Sequence, residues 1–581
     1  MRKVSGASRC VAPNSPATCS FSSSSPRYHM QAPFSRTAFE LLCEQAAKSP
    51  DRAIALTTTG DVSYAALVSR SRSIAHRLQA SGLGRGDPIG LLANNCVEWL
   101  EIFFAASALG AVVVPFSTWS TSTELDFLLR DSGVRRLFTL ARFGERDFAR
   151  DIAALRAGGT HPQLENVVLI DAVPRPGSED GFEAYASYRE SESLAALPPG
   201  QGASAADTLV VLYTSGSSNR PKAVPLDHFA VIENGFNIGE RQGLLAGDRV
   251  LVAVPLFWSY GAVNALPATL THGATLVLQG RFEPGEALEL IERHACTAIY
   301  TLPAMTNALL AHAAFEPRRT ASLRTGLTIG APQDVIKAAR QLGATEICNI
   351  YGSTEGYGNC CVTPHHWPLE QRASCQGPPL PGVRVRIRDP ETGRNCQPDE
   401  IGQIEVKGYL TRGYAGASAR HTTETFTPDG YFATGDLGAL RPDGAIVFMG
   451  RHSEMIKRSG INVAPAEVEE VLQQHAGVGL AGVTGIDDPV RGEIIVAYVV
   501  ARPGATLTQD ALLGHCRARL SSYKVPDRLY LCETLPQTPT GKLLRRELRT
   551  LATAAAQPQA DIAGADKTDR LAPRARATKS L

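Results

Sequence analysis

An apolar run that ends in hydroxyl-bearing residues is the first place where this sequence could do chemistry. Residues 209–228 read LVVLYTSGSSNRPKAVPLDH. The run gives way to Thr214, Ser215, Gly216, Ser217 and Ser218, and then to Lys222. Backbone N–H groups and small hydroxyls in such a loop can wrap an anion, and the lysine adds a positive charge. We therefore predict that this loop binds a phosphate chain.

The spacing of Gly216 and Lys222 approaches that of a Walker A loop, but two residues argue against that identity. Pro221 stands where the second glycine would be, which removes a backbone donor. Ala223 follows the lysine, so the hydroxyl that would hold magnesium is missing. For this stretch alone, a polar surface loop without a ligand is the alternative.

The stretch NIYGSTEGYG, residues 349–358, carries polar groups at the end of a second strand-like run. Tyr351 could stack on a base, and Thr354 could bond a phosphate. Glu355 could hold magnesium, because carboxylates are hard oxygen ligands. Taken alone, the same pattern is also compatible with an ordinary turn.

Two later stretches also carry charged side chains that would suit a nucleotide. In GYFATGDLG, residues 430–438, the carboxylate of Asp436 suits a ribose diol. In PQTPTGKLLRRELR, residues 536–549, Lys542 follows a Pro-Thr-Gly loop. A hairpin turn and a basic surface helix are the separate alternatives, but the order of all these stretches favours a nucleotide site.

The elements that would position these residues alternate between helix and strand patterns. Residues 64–83 have helical apolar spacing, 87–95 form a short strand pattern, and 98–116 combine a helix, a glycine and a buried strand. Such alternation predicts an α/β fold with largely parallel sheets. Beyond Tyr409 the pattern changes to hairpins with Asp-Gly turns at 429–430 and 443–444.

A smaller unit follows Gly450, with a helix predicted over 464–475 and two strands after it. We therefore place a domain boundary near Arg451. A chain of 581 residues is long enough for more than one domain.

Composition excludes several classes of protein. A formal net charge of +1 gives no case for nucleic acid or an anionic membrane as the main partner. The longest apolar stretch, 102–116, is too short to span a bilayer. The twelve cysteines contain no C-x-x-C pair, so we expect reduced thiols in a cytoplasmic enzyme and no disulfide frame or zinc site.

The two ends differ from the middle. Residues 1–37 form a leader without an acidic side chain, which could be an organelle transit peptide or an unstructured extension. Residues 553–581 are rich in alanine, proline and charge, and we expect a disordered tail. The tail ends in Lys-Ser-Leu, which is not the S-K-L order of a peroxisomal signal.

The ordered motifs resemble the adenylate-forming (AMP-binding) superfamily, and within it the acyl-CoA synthetase branch. The resemblance covers roughly residues 38–550 and rests on Y-T-S-G at 213–216 with P-K at 221–222, Y-G-S-T-E at 351–355, T-G-D at 434–436, G-R at 450–451 and T-G-K at 540–542. It implies a large N-terminal AMP-binding domain, 38–450, with mostly parallel sheets and a distorted β-barrel. It also implies a small, mobile α+β lid domain, 451–552.

The resemblance further implies ATP, Mg²⁺ and coenzyme A as cofactors, and two half-reactions. A carboxylate attacks the α-phosphate of ATP, giving an acyl-adenylate and pyrophosphate, and a thiol then displaces AMP. By resemblance, Lys542 bridges the two anions during the attack, with Thr354 and Glu355 also catalytic and Glu355 holding Mg²⁺. The implied nucleotide-binding residues are Thr214, Ser215, Gly216, Ser217, Ser218 and Lys222 for phosphates, Asp436 and Arg451 for ribose, and Gly330, Ala331, Pro332, Tyr351 and Gly352 around adenine.

Three positions depart from the family pattern. Asn219 replaces a glycine of the phosphate loop, although asparagine tolerates left-handed backbone angles better than most residues. Ser453 stands at the interdomain hinge, where the family usually has Asp or Lys. Trp258 stands where the ligases usually have histidine, so Trp258, Tyr260 and Gly261 are the predicted acid pocket.

Trp258 also indicates which class of acid the protein uses as a substrate. Amino-acid-activating relatives have an Asp there to pair with the substrate amine, and an unpaired buried ammonium would be costly. We therefore expect an amine-free fatty or aryl acid. Coenzyme A is the expected acceptor, a free carrier protein is the enzymatic alternative, and a catalytically silent nucleotide-binding protein is the alternative of another class.

Overall fold

The strands form where apolar runs are bounded by turn residues. The computed structural model describes residues 32–58, 60–173, 181–189, 202–214, 221–458, 461–538, 541 and 543–556. In chain order, the strands of these ranges are β1 (Ala53–Leu56), β2 (Asp61–Ser63), β3 (Pro88–Leu92), β4 (Val112–Pro115), β5 (Arg136–Thr139), β6 (Arg142–Phe143), β7 (Arg146–Asp147), β8 (Asn166–Leu169), β9 (Phe182–Ala184), β10 (Thr208–Thr214), β11 (Lys222–Asp227), β12 (Arg249–Val252), β13 (Thr275–Leu278), β14 (Ala298–Tyr300), β15 (Thr325–Thr328), β16 (Cys348–Tyr351), β17 (Cys361–Val362), β18 (Arg384–Arg388), β19 (Gly402–Lys407), β20 (Phe432–Leu440), β21 (Ile446–Arg451), β22 (Ile456–Arg458), β23 (Ile461–Val463), β24 (Val478–Asp488), β25 (Gly492–Ala501) and β26 (Arg528–Cys532).

Several helices begin at capping side chains. Ser63 accepts a hydrogen bond from the Ala66 N–H at the start of the helix 64–80, and Thr121 forms a reciprocal capping box with Glu124 at the start of the helix 122–132. The α-helices are α1 (Ala38–Lys48), α2 (Tyr64–Ala80), α3 (Val97–Leu109), α4 (Ser122–Ser132), α5 (Phe148–Ala157), α6 (Ala186–Arg189), α7 (His228–Gln242), α8 (Leu266–Thr271), α9 (Pro284–His294), α10 (Pro303–Ala311), α11 (Pro332–Arg340), α12 (Leu369–Ala373), α13 (Thr422–Thr425), α14 (Pro465–Gln473), α15 (Gln509–Arg517) and α16 (Arg545–Ala556).

Two large sheets carry most of the N-terminal part. The eight-stranded sheet has the order β17-β16-β15-β14-β12-β13-β1-β2, and all its pairs from β16 to β1 are parallel. The seven-stranded sheet has the order β11-β10-β4-β3-β5-β8-β9 and is parallel apart from β10–β11. The predicted α/β fold with mostly parallel sheets is confirmed.

Within the described residues, the sheet expected to form the distorted β-barrel does not close into a barrel. Strands β18 to β21 form an open, antiparallel, four-stranded sheet, and the described residues pair no strand of it into a closed ring. Four strands are too few, since a barrel interior that side chains just fill takes about eight. The predicted Asp-Gly turn at 443–444 does connect β20 to β21 as a hairpin.

A separate sheet occupies the C-terminal part. The strands β22 to β26 form it, with β24 and β25 paired antiparallel along their length and β26 added parallel to β25. Helix α14 contributes the buried residues Val468 and Leu472 to the core of this sheet. The predicted small α+β unit is therefore present, while its boundary near Arg451 and its mobility stay predictions.

The described residues extend past the predicted inner bounds of the leader and the tail. Ser35 donates its N–H to Glu44 Oε2 at 3.0 Å, so the last residues of the predicted leader contact α1. Helix α16 continues to Ala556, past the predicted start of the tail at 553, because Leu548 and Ala552 are buried and alanines favour helix. Residues 1–31 and 557–581 lie outside the described residues. Within the described ranges, no helix is long and apolar enough to cross a bilayer.

Candidate active site

The predicted residues gather at one edge of the eight-stranded sheet. Strand β12 is followed by the turn that holds Trp258, β14 by Thr301, β15 by Gly330 and β16 by Gly352. These strands are parallel, so their carboxyl ends meet at the same edge. Ligands of open α/β sheets bind in the crevice outside this edge.

Asp436 is the buried charge of this crevice. The Tyr351 hydroxyl donates to Asp436 Oδ2 at 2.7 Å, and Arg451 Nε lies 2.8 Å from Asp436 Oδ1. Asp436 and Arg451 face each other across the β20–β21 hairpin, which explains their pairing. Burial and the nearby Asp436 charge raise the pKa of Tyr351, so the phenol stays a donor. An ionised carboxylate can accept about four hydrogen bonds, so a carboxylate at this place suits a ribose diol.

The Tyr351 ring has an aromatic neighbour that sequence reasoning missed. Phe448 of β21 stacks on it with ring centroids 5.7 Å apart and planes at 28°. A base that stacks on Tyr351 must therefore use the other face or displace Phe448. Phe448 reaches this place because two sheets pack together, the eight-stranded sheet with β16 and the four-stranded sheet with β21, and its own sequence context carries no signal.

The predicted adenine wall lies next to Tyr351. Asn349, two residues earlier, donates through Nδ2 to the Gly330 carbonyl at 3.3 Å. Ala331 donates its N–H to Asp334 Oδ2 at 3.1 Å, and Pro332 begins α11. The Asn349 contact holds the Gly330 backbone against β16, and the Ala331 contact fixes the start of α11.

Gly352 closes the loop that follows β16. A Cβ at this position would lie 2.1 Å from the Gly358 carbonyl oxygen, so only glycine fits. The same loop carries Thr354, whose hydroxyl donates to Ser259 Oγ, and Glu355, whose Oε1 accepts from the Tyr414 hydroxyl.

Glu355 is held by Tyr414, another residue that sequence reasoning missed. The Tyr414 hydroxyl donates to Glu355 Oε1 at 2.8 Å, and the Thr411 N–H donates to the Glu355 carbonyl at 2.8 Å. Lys222 Nζ lies 4.9 Å from the centroid of the Tyr414 ring. Burial and the Glu355 charge raise the pKa of Tyr414, which keeps its hydroxyl protonated.

This donor set fits a magnesium–nucleotide. Mg²⁺ is commonly held by one or two carboxylates together with substrate phosphates and water. Glu355 offers a carboxylate whose Oε1 is already oriented by Tyr414. Lys222 brings a cation to the same place, where phosphate oxygens would need one.

The phosphate loop begins and ends on paired strands. Thr214, the last residue of β10, is paired with Lys222, the first residue of β11. The Tyr213 hydroxyl donates to Asp131 Oδ2 at 2.8 Å, and Ala417 donates its N–H to Asp131 Oδ1 at 2.8 Å. The predicted contacts Ser215, Gly216, Ser217 and Ser218, and the departure Asn219, lie outside the described residues.

The predicted acid segment contacts the loop 352–358 after β16, which carries the predicted catalytic residues Thr354 and Glu355 and is called the reactive loop below. Thr354 Oγ1 donates to Ser259 Oγ at 3.3 Å, which puts Trp258 one residue from this contact. Tyr260 is buried, and its hydroxyl donates to the Thr301 carbonyl at 3.3 Å. A Cβ on Gly261 would lie 2.3 Å from the Pro255 carbonyl oxygen, so glycine is required for this tight turn.

A buried asparagine network joins the two segments. Asn359 donates through Nδ2 to Asn264 Oδ1 at 2.7 Å, and Asn264 lies in a π-helical turn, 261–265. Asn234 donates to the carbonyls of Tyr357 and Asn359 at 3.0 and 2.9 Å. Tyr357 has φ of 58°, a left-handed conformation that such bonds help to hold.

The C-terminal part reaches the same crevice. Gly541 has φ of 80°, and a Cβ on it would lie 2.5 Å from Ala304 Cβ at the start of α10. Lys542 is the next residue and lies outside the described residues. Ser453, the predicted hinge, is exposed in a short 3₁₀ turn, 452–454, between β21 and β22.

Two family profiles match the chain. One described as AMP-binding enzyme matches residues 42–415, and one described as AMP-binding enzyme C-terminal domain matches residues 467–542. An acyl-CoA ligase (SID4) of Ajellomyces capsulatus is 32% identical over 84% of this chain and 86% of its own length. A feruloyl-CoA synthase of an Amycolatopsis species is 32% identical over 84% of this chain and 93% of its own length.

The fold is also similar to solved structures. The ATP-bound MatB of Rhodopseudomonas palustris has a TM-score of 0.78 at 26% identity. The similarity covers 89% of this chain and 100% of that one.

Proposed function

The chain belongs to the AMP-binding enzyme family, and from this premise we propose which acid it activates and which side chains act. It is an AMP-forming acyl-CoA ligase that uses ATP, Mg²⁺ and coenzyme A. The carboxylate attacks the α-phosphate and expels pyrophosphate. The thiol of coenzyme A then attacks the acyl carbon and expels AMP.

The first half-reaction brings an anion towards a polyanion, so charge control is the task of the side chains. Two unit charges ~4 Å apart interact by roughly 4 kcal/mol at an effective dielectric near 20. In our proposal Lys222 binds phosphate oxygens, Lys542 bridges carboxylate and α-phosphate, and Thr354 donates to a phosphate. Bound Mg²⁺ would neutralise phosphate charge, with Glu355 as its protein ligand.

In our proposal, Asp436 and Arg451 hold the nucleoside through its ribose. Asp436 accepts the ribose hydroxyls, and Arg451 places a positive charge beside that carboxylate. Tyr351 and the loop 330–332 flank adenine. Ser453 serves as the hinge between the two half-reactions.

We propose that the acid is amine-free and apolar, a fatty or aryl acid. The observation that carries this is the Thr354–Ser259 hydrogen bond, which sets Trp258 beside the reactive loop. The segment 254–266, VPLFWSYGAVNAL, contains no Asp or Glu to pair with a substrate ammonium. The feruloyl-CoA synthase among the relatives is named for an aryl acyl group, which supports the same class.

Measurement of pyrophosphate release with a panel of acids, with and without coenzyme A, tests this function. We expect release with fatty or aryl acids and formation of the acyl-CoA when coenzyme A is added. Acyl transfer only to a phosphopantetheine carrier protein would identify the alternative acceptor. Nucleotide binding without release for any acid would identify a silent member and refute the ligase assignment.

The cytoplasm is our proposed location, because the many cysteines without a paired pattern suit a reducing compartment. The leader could still direct import. Fusion of residues 1–37 to a fluorescent protein tests this, and an organellar signal would contradict the cytoplasmic proposal.

A further inference from the structure

Trp119 belongs to the other large sheet but lies at the acid segment. It follows β4, which runs parallel to β10 in the seven-stranded sheet. A tight turn holds it, because Ser120 donates its N–H to the Ser117 carbonyl at 3.0 Å and Trp119 donates its N–H to Ser117 Oγ at 3.1 Å. The capping box of α4 begins at Thr121 and anchors the far side of this turn.

Three rings from the two sheets pack edge to face. The Trp119 ring centroid lies 4.9 Å from that of Trp258, with planes at 80°, and 5.2 Å from that of Phe257, with planes at 88°. Phe257 and Trp258 are 6.2 Å apart at 89°. We call Trp119, Phe257 and Trp258 the aromatic wall. Each such ring pair is worth roughly two- to tenfold in an equilibrium constant.

The backbone of Trp258 is fixed, whereas its ring depends on neighbours. Trp258 donates its N–H to the Pro255 carbonyl at 3.2 Å, and its own carbonyl accepts from Ala262 at 2.8 Å. Ser259 is bonded to Thr354 of the reactive loop. Trp119 therefore packs against the side chain of a residue whose backbone is fixed next to the Ser259–Thr354 contact.

A core role explains Trp119 less well. Trp119 is 39% exposed, whereas the core indole of Trp99 is 0% exposed. An indole that leaves this much surface in water contributes less packing, and yet its contacts are directed at Trp258. This arrangement suits a brace for one side chain more than a core residue.

We propose that Trp119 is a specificity-determining residue that braces Trp258 and so limits the length of the acid. The proposal rests on the proposed function, since it concerns the acid site of that reaction. The braced wall favours aryl and short-chain acids. When the brace is removed, the Trp258 ring swings away and longer chains enter.

The test uses the full chain with Trp119→Leu, Trp119→Phe, Trp258→Ala and the double variant Trp119→Leu/Trp258→Ala. The probes are benzoate and a series of straight-chain saturated acids, and the readout is the ratio of kcat/KM between long and short acids. Each methylene newly accommodated is worth about fourfold, equivalent to ~0.8 kcal/mol. If Trp119→Leu makes room for about two more methylenes, the ratio of kcat/KM between long and short acids should rise roughly fifteenfold, at about fourfold per methylene.

The variants separate bracing from a structural role. Trp119→Phe keeps a ring and should hold the ratio near wild type, while KM for ATP stays unchanged in all Trp119 variants. In the Trp258→Ala background, Trp119→Leu should add no further shift, because the braced ring is gone. Trp367→Leu, a partly buried indole in the loop after β17, is the matched control and should leave the ratio unchanged.

Two results would overturn the inference. One is an unchanged ratio in Trp119→Leu with a lowered melting temperature, which is the signature of packing alone. The other is a shift that adds in full to that of Trp258→Ala, which would make Trp119 independent of Trp258. Wild-type protein that activates no acid in the panel refutes the proposed function instead, so the two failures are distinguishable.

Discussion

The Tyr414→Phe substitution removes one hydroxyl and leaves the ring under Lys222. The lost group is the donor to Glu355 Oε1 at 2.8 Å, and Tyr414 is only 7% exposed. A hydrogen bond to a charged group contributes about 1.5–3 kcal/mol. If Glu355 is the Mg²⁺ ligand, its loosened carboxylate should weaken binding of the magnesium–nucleotide by about 10- to 100-fold, the range for loss of a contact that orients a metal ligand.

A second substitution isolates the contribution of the Tyr414 ring to MgATP binding. Tyr414→Leu removes the hydroxyl and also the contact with Lys222 Nζ at 4.9 Å from the ring centroid. A cation–π contact is worth ~0.5–2 kcal/mol, so the leucine variant should bind MgATP a further ~2- to 30-fold more weakly than the phenylalanine variant. The difference in MgATP affinity between the phenylalanine and leucine variants therefore measures the contribution of the ring contact with Lys222.

Titration calorimetry with MgATP and with Mg²⁺-free ATP is the assay. The Tyr414→Phe loss should appear with MgATP and largely vanish without the metal, because Glu355 then has no ligand role. Tyr409→Phe, which removes a hydroxyl from a half-buried tyrosine of the same segment, is the control and should bind as wild type. Equal losses with and without Mg²⁺, or no loss at all, would refute the role given to Glu355.

Three further outcomes are expected. Lys542→Ala should lower adenylate formation by ~10²–10³ or more and spare thiolysis of preformed adenylate, the scale for loss of a transition-state donor, and normal pyrophosphate exchange would contradict this. Ser453→Pro suits the present 3₁₀ turn but fixes φ, so it should block one half-reaction selectively, and equal loss of both would move the hinge elsewhere. Burial lowers the pKa of His228 from 6.5 to about 4. As the pH falls, the imidazole is therefore protonated in the unfolded chain before it is protonated in the folded protein. The free energy of unfolding should fall between about pH 6.5 and about pH 4, by roughly 3 kcal/mol at most. Urea unfolding of His228→Asn, which keeps an acceptor for the Ala38 N–H, should show a shallower fall than wild type, and parallel curves would exclude His228 as the source.

The motifs were readable from sequence because each combines local patterns with chemistry. Tyr351 to Glu355 follow an apolar run, Asp436 lies in the stretch Thr-Gly-Asp-Leu-Gly, and both predictions need only neighbouring residues. Parallel strands also follow from helix–strand alternation, since a crossover helix brings the next strand back in the same direction. Resemblance then supplied the roles, which remain predictions for the individual side chains.

The chain's own pattern determined the alternation of helices and strands, the places of elements such as α2, β3 and α14, and the five motifs that predict a nucleotide site. Tertiary structure alone decided that β18 to β21 stay open, that Tyr414 orients Glu355, and that Phe448 covers a face of Tyr351. It also decided that Trp119 reaches Trp258 from another sheet. The physical reason is that sequence periodicity reports which face of an element is buried, whereas these contacts depend on which distant strand ends the packing brings side by side.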